Sequence, residues 1–143
     1  MIRQKPNNKY SLTIKNQLSE IKKIVEVIDV LSADWNISAK MNNHLNLVVE
    51  EIVSNIIFYA YSDKNEHEII IEFAKQKNSI TIQITDNGKH FDLIKYHGNV
   101  NVNAKVEDRK IGGLGIHILK KLVDEIEYKR MGNLNVIKLV KCI

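Results

Sequence analysis

Two polar side chains on a predicted helix are the first candidates for chemistry. Glu51 and Asn55 are four residues apart in a segment whose apolar residues recur at steps of three and four, so both side chains lie on one helix face. Leu47 and Phe58 lie close to that face, and a carboxylate among apolar groups costs free energy unless it meets a cation, a water or a donor. Glu51 is preferred to its neighbour Glu50 because only Glu51 stands four residues before Asn55. The pair predicts a reactive site, or else an ordinary exposed pair at the rim of the helix.

A second candidate is the stretch Asp86-Asn87-Gly88, which directly follows a predicted strand at 80–84. An aspartate at the end of a strand can accept a hydrogen bond from the exocyclic amine of a flat ring, and a glycine lets that ring approach the backbone. The ordinary structural alternative is an Asx turn that ends the strand, with Gly88 at a positive φ. Taken alone, the stretch does not decide between the two.

A third candidate is the glycine cluster Gly112-Gly113-Leu114-Gly115 before a predicted helix. Bare N–H groups at a helix N-terminus carry a partial positive charge that suits phosphate, and Lys110 adds a further positive charge upstream. The alternative is a flexible entry to the helix, because a short glycine cluster is a weak motif. Its spacing matches neither the P-loop nor the dinucleotide-binding pattern.

The elements that must position these residues can be predicted from hydrophobic periodicity. The strand at 80–84 has one apolar and one polar face, which is typical of a sheet that helices cover on one side only. The segment from 86 to 113 has no period, and a stretch of that length is usually a functional lid or disordered. Ser38 is a plausible cap for the second helix. We predict strands at 10–14, 69–74, 80–84, 127–131 and 135–141, and helices at 17–35, 39–61 and 114–125.

Length and composition favour one folded domain. The chain has 143 residues, of which 44% are apolar and 27% charged, close to the averages for globular proteins. No long apolar run opens it, which predicts neither a signal peptide nor a membrane span, and its single cysteine, Cys142, cannot form an internal disulfide. We therefore expect a cytoplasmic protein. A net charge of +4 and an aromatic fraction of 6% argue against a nucleic-acid-binding domain, which would cluster lysines and aromatics on one face.

In combination the three stretches are far more specific than any one alone. Glu51-x-x-x-Asn55 on a helix, Asp86-x-Gly88 after a strand, a long loop and Gly113-Leu114-Gly115 opening a helix resemble the N, G1 and G2 boxes of the GHKL (histidine-kinase-like) ATPase superfamily. The likeness covers roughly residues 10–141. The segments 49–57 and 132–139 look like those of the stand-alone anti-sigma factor serine/threonine kinases of the RsbW and SpoIIAB type.

This resemblance implies a fold and a set of residue roles. The fold is an α/β two-layer sandwich of the Bergerat type, with a mixed, mainly antiparallel sheet of about five strands and three helices on one face. Residues 1–143 would form a single ATPase/kinase domain, with its core at about 10–141 and an ATP lid at about 89–112. The implied roles are adenine recognition by Asp86 and Gly88, Mg²⁺ ligation by Asn55, proton abstraction by Glu51, and nucleotide contacts by Lys110, Gly113, Leu114 and Gly115.

The resemblance also implies an activity and partners. The protein would use ATP and Mg²⁺ to phosphorylate a serine on a STAS-domain anti-sigma antagonist, and it would sequester a sigma factor. A homodimer is suggested as well, although no residue pattern supports it independently. The alternative is an ATP-binding partner-switching module with little or no kinase activity. Two departures from the family pattern, Tyr59-Ala60 after the helix and Lys89-His90 after the glycine, bear on the lid and on nucleotide affinity.

Overall fold

In the part of the chain that the structure describes, the fold consists of one antiparallel sheet and three α-helices. The computed structural model describes residues 7–90, 92 and 115–143, with the backbone alone at 115–118. None of the described helices has the length and apolar character needed to cross a membrane. The elements in chain order are β1 (Lys9–Lys15), a 3₁₀ turn (Leu18–Glu20), α1 (Ile21–Asp34), α2 (Ala39–Tyr59), β2 (Glu68–Gln76), β3 (Ser79–Asp86), α3 (Gly115–Leu122), β4 (Glu125–Met131) and β5 (Leu134–Cys142).

The strands lie in the order β1-β2-β3-β5-β4, so β3 is the central strand. All four neighbouring pairs are antiparallel, and within the described residues the sheet contains no parallel pair. The predicted α/β class with a mainly antiparallel five-stranded sheet is confirmed.

The sheet buries one face, as the alternation in the sequence predicts. Along β3, inward residues are buried and alternate with partly exposed ones. Isoleucine dominates the inward positions, where β-branched side chains pack well on a pleated surface. The inward apolar residues of the three inner strands are Ile69, Ile71, Phe73, Ile80, Ile82, Ile84, Ile137 and Leu139, all buried.

Helices α1 and α2 cover the apolar face with matching stripes. Ile24, Ile28 and Leu31 of α1 are fully buried, at spacings of three and four residues. On α2 the corresponding stripe is longer and runs from Leu45 to Ile56. The predicted cap is confirmed, because the Ser38 hydroxyl accepts a hydrogen bond from the Met41 N–H at 3.1 Å.

The third helix is shorter than the sequence predicts. It ends at Leu122 instead of 125, although the Val123 N–H still donates to the Leu119 carbonyl. The next N–H, of Asp124, donates to the Val140 carbonyl on β5. Pairing with a distant strand therefore takes over at this point, and Glu125, predicted to be helical, begins β4 opposite Val140.

A two-residue turn, Gly132-Asn133, joins β4 to β5. Gly132 has a φ of 60°, and a positive φ at the first of two turn residues is typical of the type II′ hairpin. The turn sets Met131 opposite Leu134 and, one step further, Arg130 opposite Asn135. This register matters for the site described below.

We expect Gly132→Ala to reduce the free energy of unfolding by about 1 kcal/mol, because a residue with a Cβ is strained in the left-handed conformation. A Cβ at this position would meet nothing within 4 Å, so the cost is that of the backbone alone. Urea unfolding measures it, with Asn133→Ala as the neighbouring control. An unchanged stability for Gly132→Ala would contradict the assigned turn.

Candidate functional site

Asp86, the last residue of β3, is a carboxylate in a row of buried isoleucines. It is 3% exposed and lies opposite Ile69 on one side and Asn135 on the other. Its Oδ1 accepts hydrogen bonds from the Gly88 N–H at 2.8 Å and from the Asn135 amide at 2.9 Å. Within the described residues its other oxygen, Oδ2, has no hydrogen-bond donor. Asp86 thus forms the Asx turn of the structural alternative with Oδ1, and its Oδ2 accepts no hydrogen bond from the described residues.

Burial makes the ionised form of Asp86 unfavourable, and neighbouring groups offset part of that effect. Burial raises the pKa of the Asp86 carboxyl, while the hydrogen bonds from Asn135 and Gly88 and the positive charge of Arg130 lower it; burial is the largest effect. Tyr61 faces the same carboxyl, and its pKa is raised by burial and by the Asp86 charge. The Tyr61 hydroxyl is buried with no hydrogen-bond partner in the described structure. Unsatisfied polar groups at one place are typical of a site that a polar ligand completes.

Gly88 is required for a reason that the sequence did not reveal. A Cβ at Gly88 would lie 2.6 Å from both the Cβ and the carbonyl oxygen of Ala60, the residue that ends α2. The Lys89 N–H donates to that same carbonyl at 2.8 Å. The positive φ that the Asx-turn alternative gave to Gly88 is wrong, since Gly132 is the one glycine with a positive φ in the described chain. Close packing of the turn on the end of α2 is what excludes a side chain.

Three residues on β4 and β5 support this turn, and sequence reasoning missed them. Asn135 is 2% exposed and its amide nitrogen also donates to the Lys89 carbonyl at 2.8 Å. Its amide oxygen accepts from the Tyr128 hydroxyl and from Arg130 Nη1. An asparagine at an inward position, two and four residues before Ile137 and Leu139, was the signal that could have identified it.

Glu51 and Asn55 lie on α2, one face of which packs on the sheet. Asn55 is 2% exposed, so the alternative of an exposed rim pair is wrong. Its amide nitrogen donates to the Glu51 carbonyl at 2.6 Å and to Glu51 Oε1 at 3.2 Å, which leaves the amide oxygen as the atom that can accept a cation. Burial raises the pKa of the half-buried Glu51 carboxyl and outweighs the hydrogen bond from Asn55, which lowers it. This pair combines a basic carboxylate with a hard oxygen ligand.

The structure brings part of the predicted site together. Asp86 and Gly88 meet the end of α2 at Ala60, five residues beyond Asn55. Gly115 is the first residue of α3, as predicted for a glycine that opens a helix, and α3 packs against α2. Lys110, Gly113 and Leu114 lie outside the described residues, as does the predicted lid except for residues 89, 90 and 92.

Asp86→Asn tests the cost of the buried charge. The pKa of Asp86 is raised in the folded protein, so its ionised form destabilises the fold, and that penalty is present above the folded pKa and disappears as the pH falls through it. We expect Asp86→Asn to melt at the same or a higher temperature than the wild type at neutral pH. The difference between the two melting temperatures should become smaller as the pH is lowered.

The control is Asp124→Asn. The pKa of Asp124 is lowered by the hydrogen bond from the Cys142 N–H, so neutralising it should bring no gain at neutral pH. A lower melting temperature for Asp86→Asn than for Asp124→Asn would contradict the assigned penalty.

Comparison with known proteins places this chain in a family. A sequence model described as the histidine kinase-like ATPase domain matches residues 14–141. The chain is 28% identical over 86 residues to the serine-protein kinase RsbW of Listeria monocytogenes, an alignment covering 58% of this chain and 55% of the relative. It is 33% identical over 86 residues to RsbW of Oceanobacillus iheyensis, covering 58% of this chain and 54% of that protein. The chain thus spans about half the length of the curated relatives it matches.

A solved structure shows the same fold. The crystal structure of the RsbU and RsbW domains of Rv1364c from Mycobacterium tuberculosis matches 95% of this chain and 32% of that one, with a TM-score of 0.65 and 11% identity. The sequence match over 14–141 covers β2, β3 and β4 completely, together with the α2 and Asp86–Gly88 stretches of the candidate site. The chain belongs to the histidine kinase-like ATPase domain family.

Proposed function

We propose that this protein binds Mg-ATP and transfers the γ-phosphoryl group to a serine of a partner protein. The observation that carries the proposal is the buried Asp86 carboxylate, with one oxygen fixed by Gly88 and Asn135 and the other without a donor in the described structure. Its family is that of ATPase domains, and the relatives reported above are named serine-protein kinases. ATP use follows from the family, and the kinase reaction is our extension of it.

Asp86 would bind the adenine end of the nucleotide. Its Oδ2 is an acceptor without a donor in the described chain, which suits the exocyclic amine of adenine. Gly88 lets the backbone of the turn pack against Ala60, which fixes the turn beside the proposed adenine position. At the other end, the backbone N–H groups where α3 begins at Gly115, with Gly113, Leu114 and Lys110 before it, would hold the phosphates.

Asn55 would hold the magnesium ion through its amide oxygen. Oxygen is the ligand that Mg²⁺ prefers, and this ion is usually bound by one or two protein groups together with substrate phosphates. In the described part of the chain no three histidine, cysteine, aspartate or glutamate side chains form a cluster that could hold a metal alone. The amide oxygen of Asn55, which is left available because the amide nitrogen donates to Glu51, fits an ion that arrives with a nucleotide. Magnesium would neutralise charge on the phosphates.

Glu51 would accept the proton of the attacking serine hydroxyl. Burial makes its carboxylate a stronger base than an exposed glutamate, and the bond from Asn55 fixes the direction of its Oε1. Phosphoryl transfer depends mainly on positioning and charge neutralisation, with one acceptor directed at the nucleophile. Asn55 and Glu51 would supply these two requirements from adjacent turns of a single helix.

The partners follow from the likeness to RsbW. We propose a STAS-domain anti-sigma antagonist as the phosphate acceptor and a sigma factor as the protein that is sequestered. A protein that binds a sigma factor would lie in the cytoplasm, where transcription occurs. A homodimer is part of the same proposal. The second candidate is a module that uses ATP to control partner binding with little or no transfer, and the Glu51 carboxylate distinguishes the two.

Glu51→Gln should lower phosphoryl transfer to a STAS-domain acceptor by about a hundredfold or more, the usual contribution of a general base. Transfer from radiolabelled ATP measures the rate, and titration with Mg-ATP should show an affinity close to that of the wild type. Glu50→Gln, its neighbour on the helix, is the matched control and should transfer normally. Transfer at the wild-type rate by Glu51→Gln would exclude this base.

Asp86→Asn should reverse the preference between two purine nucleotides. The wild type should bind ATP at least about tenfold more tightly than ITP, whose ring carries an oxygen in place of the amine, because a hydrogen bond to a charged group contributes roughly 1.5–3 kcal/mol. In Asp86→Asn the amide oxygen can still accept from Gly88 and Asn135, which turns its nitrogen toward the ligand as a donor. Calorimetry with both nucleotides checks this; an unchanged ATP affinity would mean that the adenine binds elsewhere.

A further inference from the structure

We propose that Arg130, on the edge strand β4, is a positioning residue for nucleotide binding: it holds the Asp86–Gly88 turn in place through Asn135 and the Gly88 carbonyl. The inference rests on the proposed role of Asp86 in adenine recognition. Arg130 belongs to none of the three sequence boxes, and it lies on β4, which is separated from β3 and Asp86 by β5.

The guanidinium of Arg130 connects two turns that are far apart in the chain. Its Nη1 donates to the Gly88 carbonyl at 2.8 Å and to Asn135 Oδ1 at 3.1 Å, while its Nε donates to the Gly132 carbonyl at 3.0 Å. A planar guanidinium can serve several acceptors at fixed angles, which an ammonium group on a flexible stem cannot do. The β4–β5 hairpin is therefore bound directly to the turn that carries Asp86.

Asn135 transmits this contact because its amide can adopt only one useful orientation. Tyr128 and Arg130 both donate to its oxygen, so its nitrogen must point the other way. On that side it meets Asp86 Oδ1 at 2.9 Å and the Lys89 carbonyl at 2.8 Å. Rotating the amide would place its oxygen against two acceptors and its nitrogen against two donors. Arg130 thus determines which oxygen of Asp86 is occupied and which is presented to a ligand.

Arg130 also affects the charge of Asp86. Burial raises the pKa of the Asp86 carboxyl, and the positive charge of Arg130 opposes that rise. Among the described residues, the other titratable group that faces Asp86 is Tyr61, whose own pKa is raised, so its phenol stays neutral and supplies no compensating charge. Without Arg130, Asp86 should take up a proton at a higher pH and lose its ability to accept from an amine.

The test is the affinity for Mg-ATP, measured by calorimetry over a series from mildly acid to mildly alkaline pH. Arg130→Gln should weaken binding by about tenfold at neutral pH, the value of one charge-assisted hydrogen bond. Its affinity should also decline at a higher pH than in the wild type. Lys129→Gln removes the same charge from the adjacent, exposed position of β4 and should follow the wild-type curve.

Two further variants separate positioning from folding. Arg130→Lys keeps the charge without the planar contacts, so its affinity should fall while the pH at which binding declines moves little. Tyr128→Phe removes one donor to Asn135 and keeps the ring, so it should weaken ATP binding by a smaller factor, and it carries the test if Arg130→Gln does not fold.

The outcomes are distinguishable. If the wild type binds ATP and the Arg130→Gln curve coincides with that of Lys129→Gln, the inference is wrong and the proposed function stands. If Arg130→Gln fails to fold and Tyr128→Phe binds as the wild type does, the inference is likewise wrong. If the wild type itself does not bind ATP, the proposed function fails and this inference fails with it.

Discussion

The structure around the site depends on one constraint, which is that an ionisable carboxyl is buried at the end of the central strand. Asp86 is removed from water by the same sheet and helices that bury the isoleucines beside it, and burial raises its pKa. A buried charge persists only if donors and a counter-charge surround it. Gly88 and Asn135 supply the donors, and Arg130 supplies the counter-charge. The strand or turn that carries each residue determines its position.

The sheet provides the accuracy that such a network needs. The register of β3 and β5 sets Ile84 opposite Ile137 and, two residues further, Asp86 opposite Asn135, so the apolar layer ends and the polar cluster begins at the same level on both strands. The type II′ turn then fixes Arg130 across from Asn135 on β4. Hydrogen-bonded strands are more rigid than loops, and residues held on them keep their geometry without a ligand. Preorganisation of this kind lowers the entropic cost of binding.

Local patterns predicted the elements, and long-range contacts account for what they missed. The alternation in β3, the stripe of α2 and the Ser38 cap are properties of neighbouring residues, and all three are confirmed. The end of α3 depends on Val140, and the need for a glycine at position 88 depends on Ala60, both distant in sequence. Asp86 could be selected because an aspartate followed directly after a predicted strand, next to Gly88. The inward apolar row of β5 would have indicated Asn135, but Arg130 became visible only once the register of β4 was known.

Helix α2 fixes the relation between the two halves of the candidate site. Glu51 and Asn55 lie on it, and the turn with Gly88 rests against its C-cap residue, Ala60. Five residues separate Asn55 from Ala60, about 7.5 Å along the axis at the usual helical rise. The distance between the carboxylate proposed for adenine and the amide proposed for magnesium thus depends on the regular geometry of the helix and on the close contact between Gly88 and Ala60. Under the proposed roles, a ligand that reaches both ends would carry a purine and a charged group, and α2 would set the separation between them while it also covers the sheet.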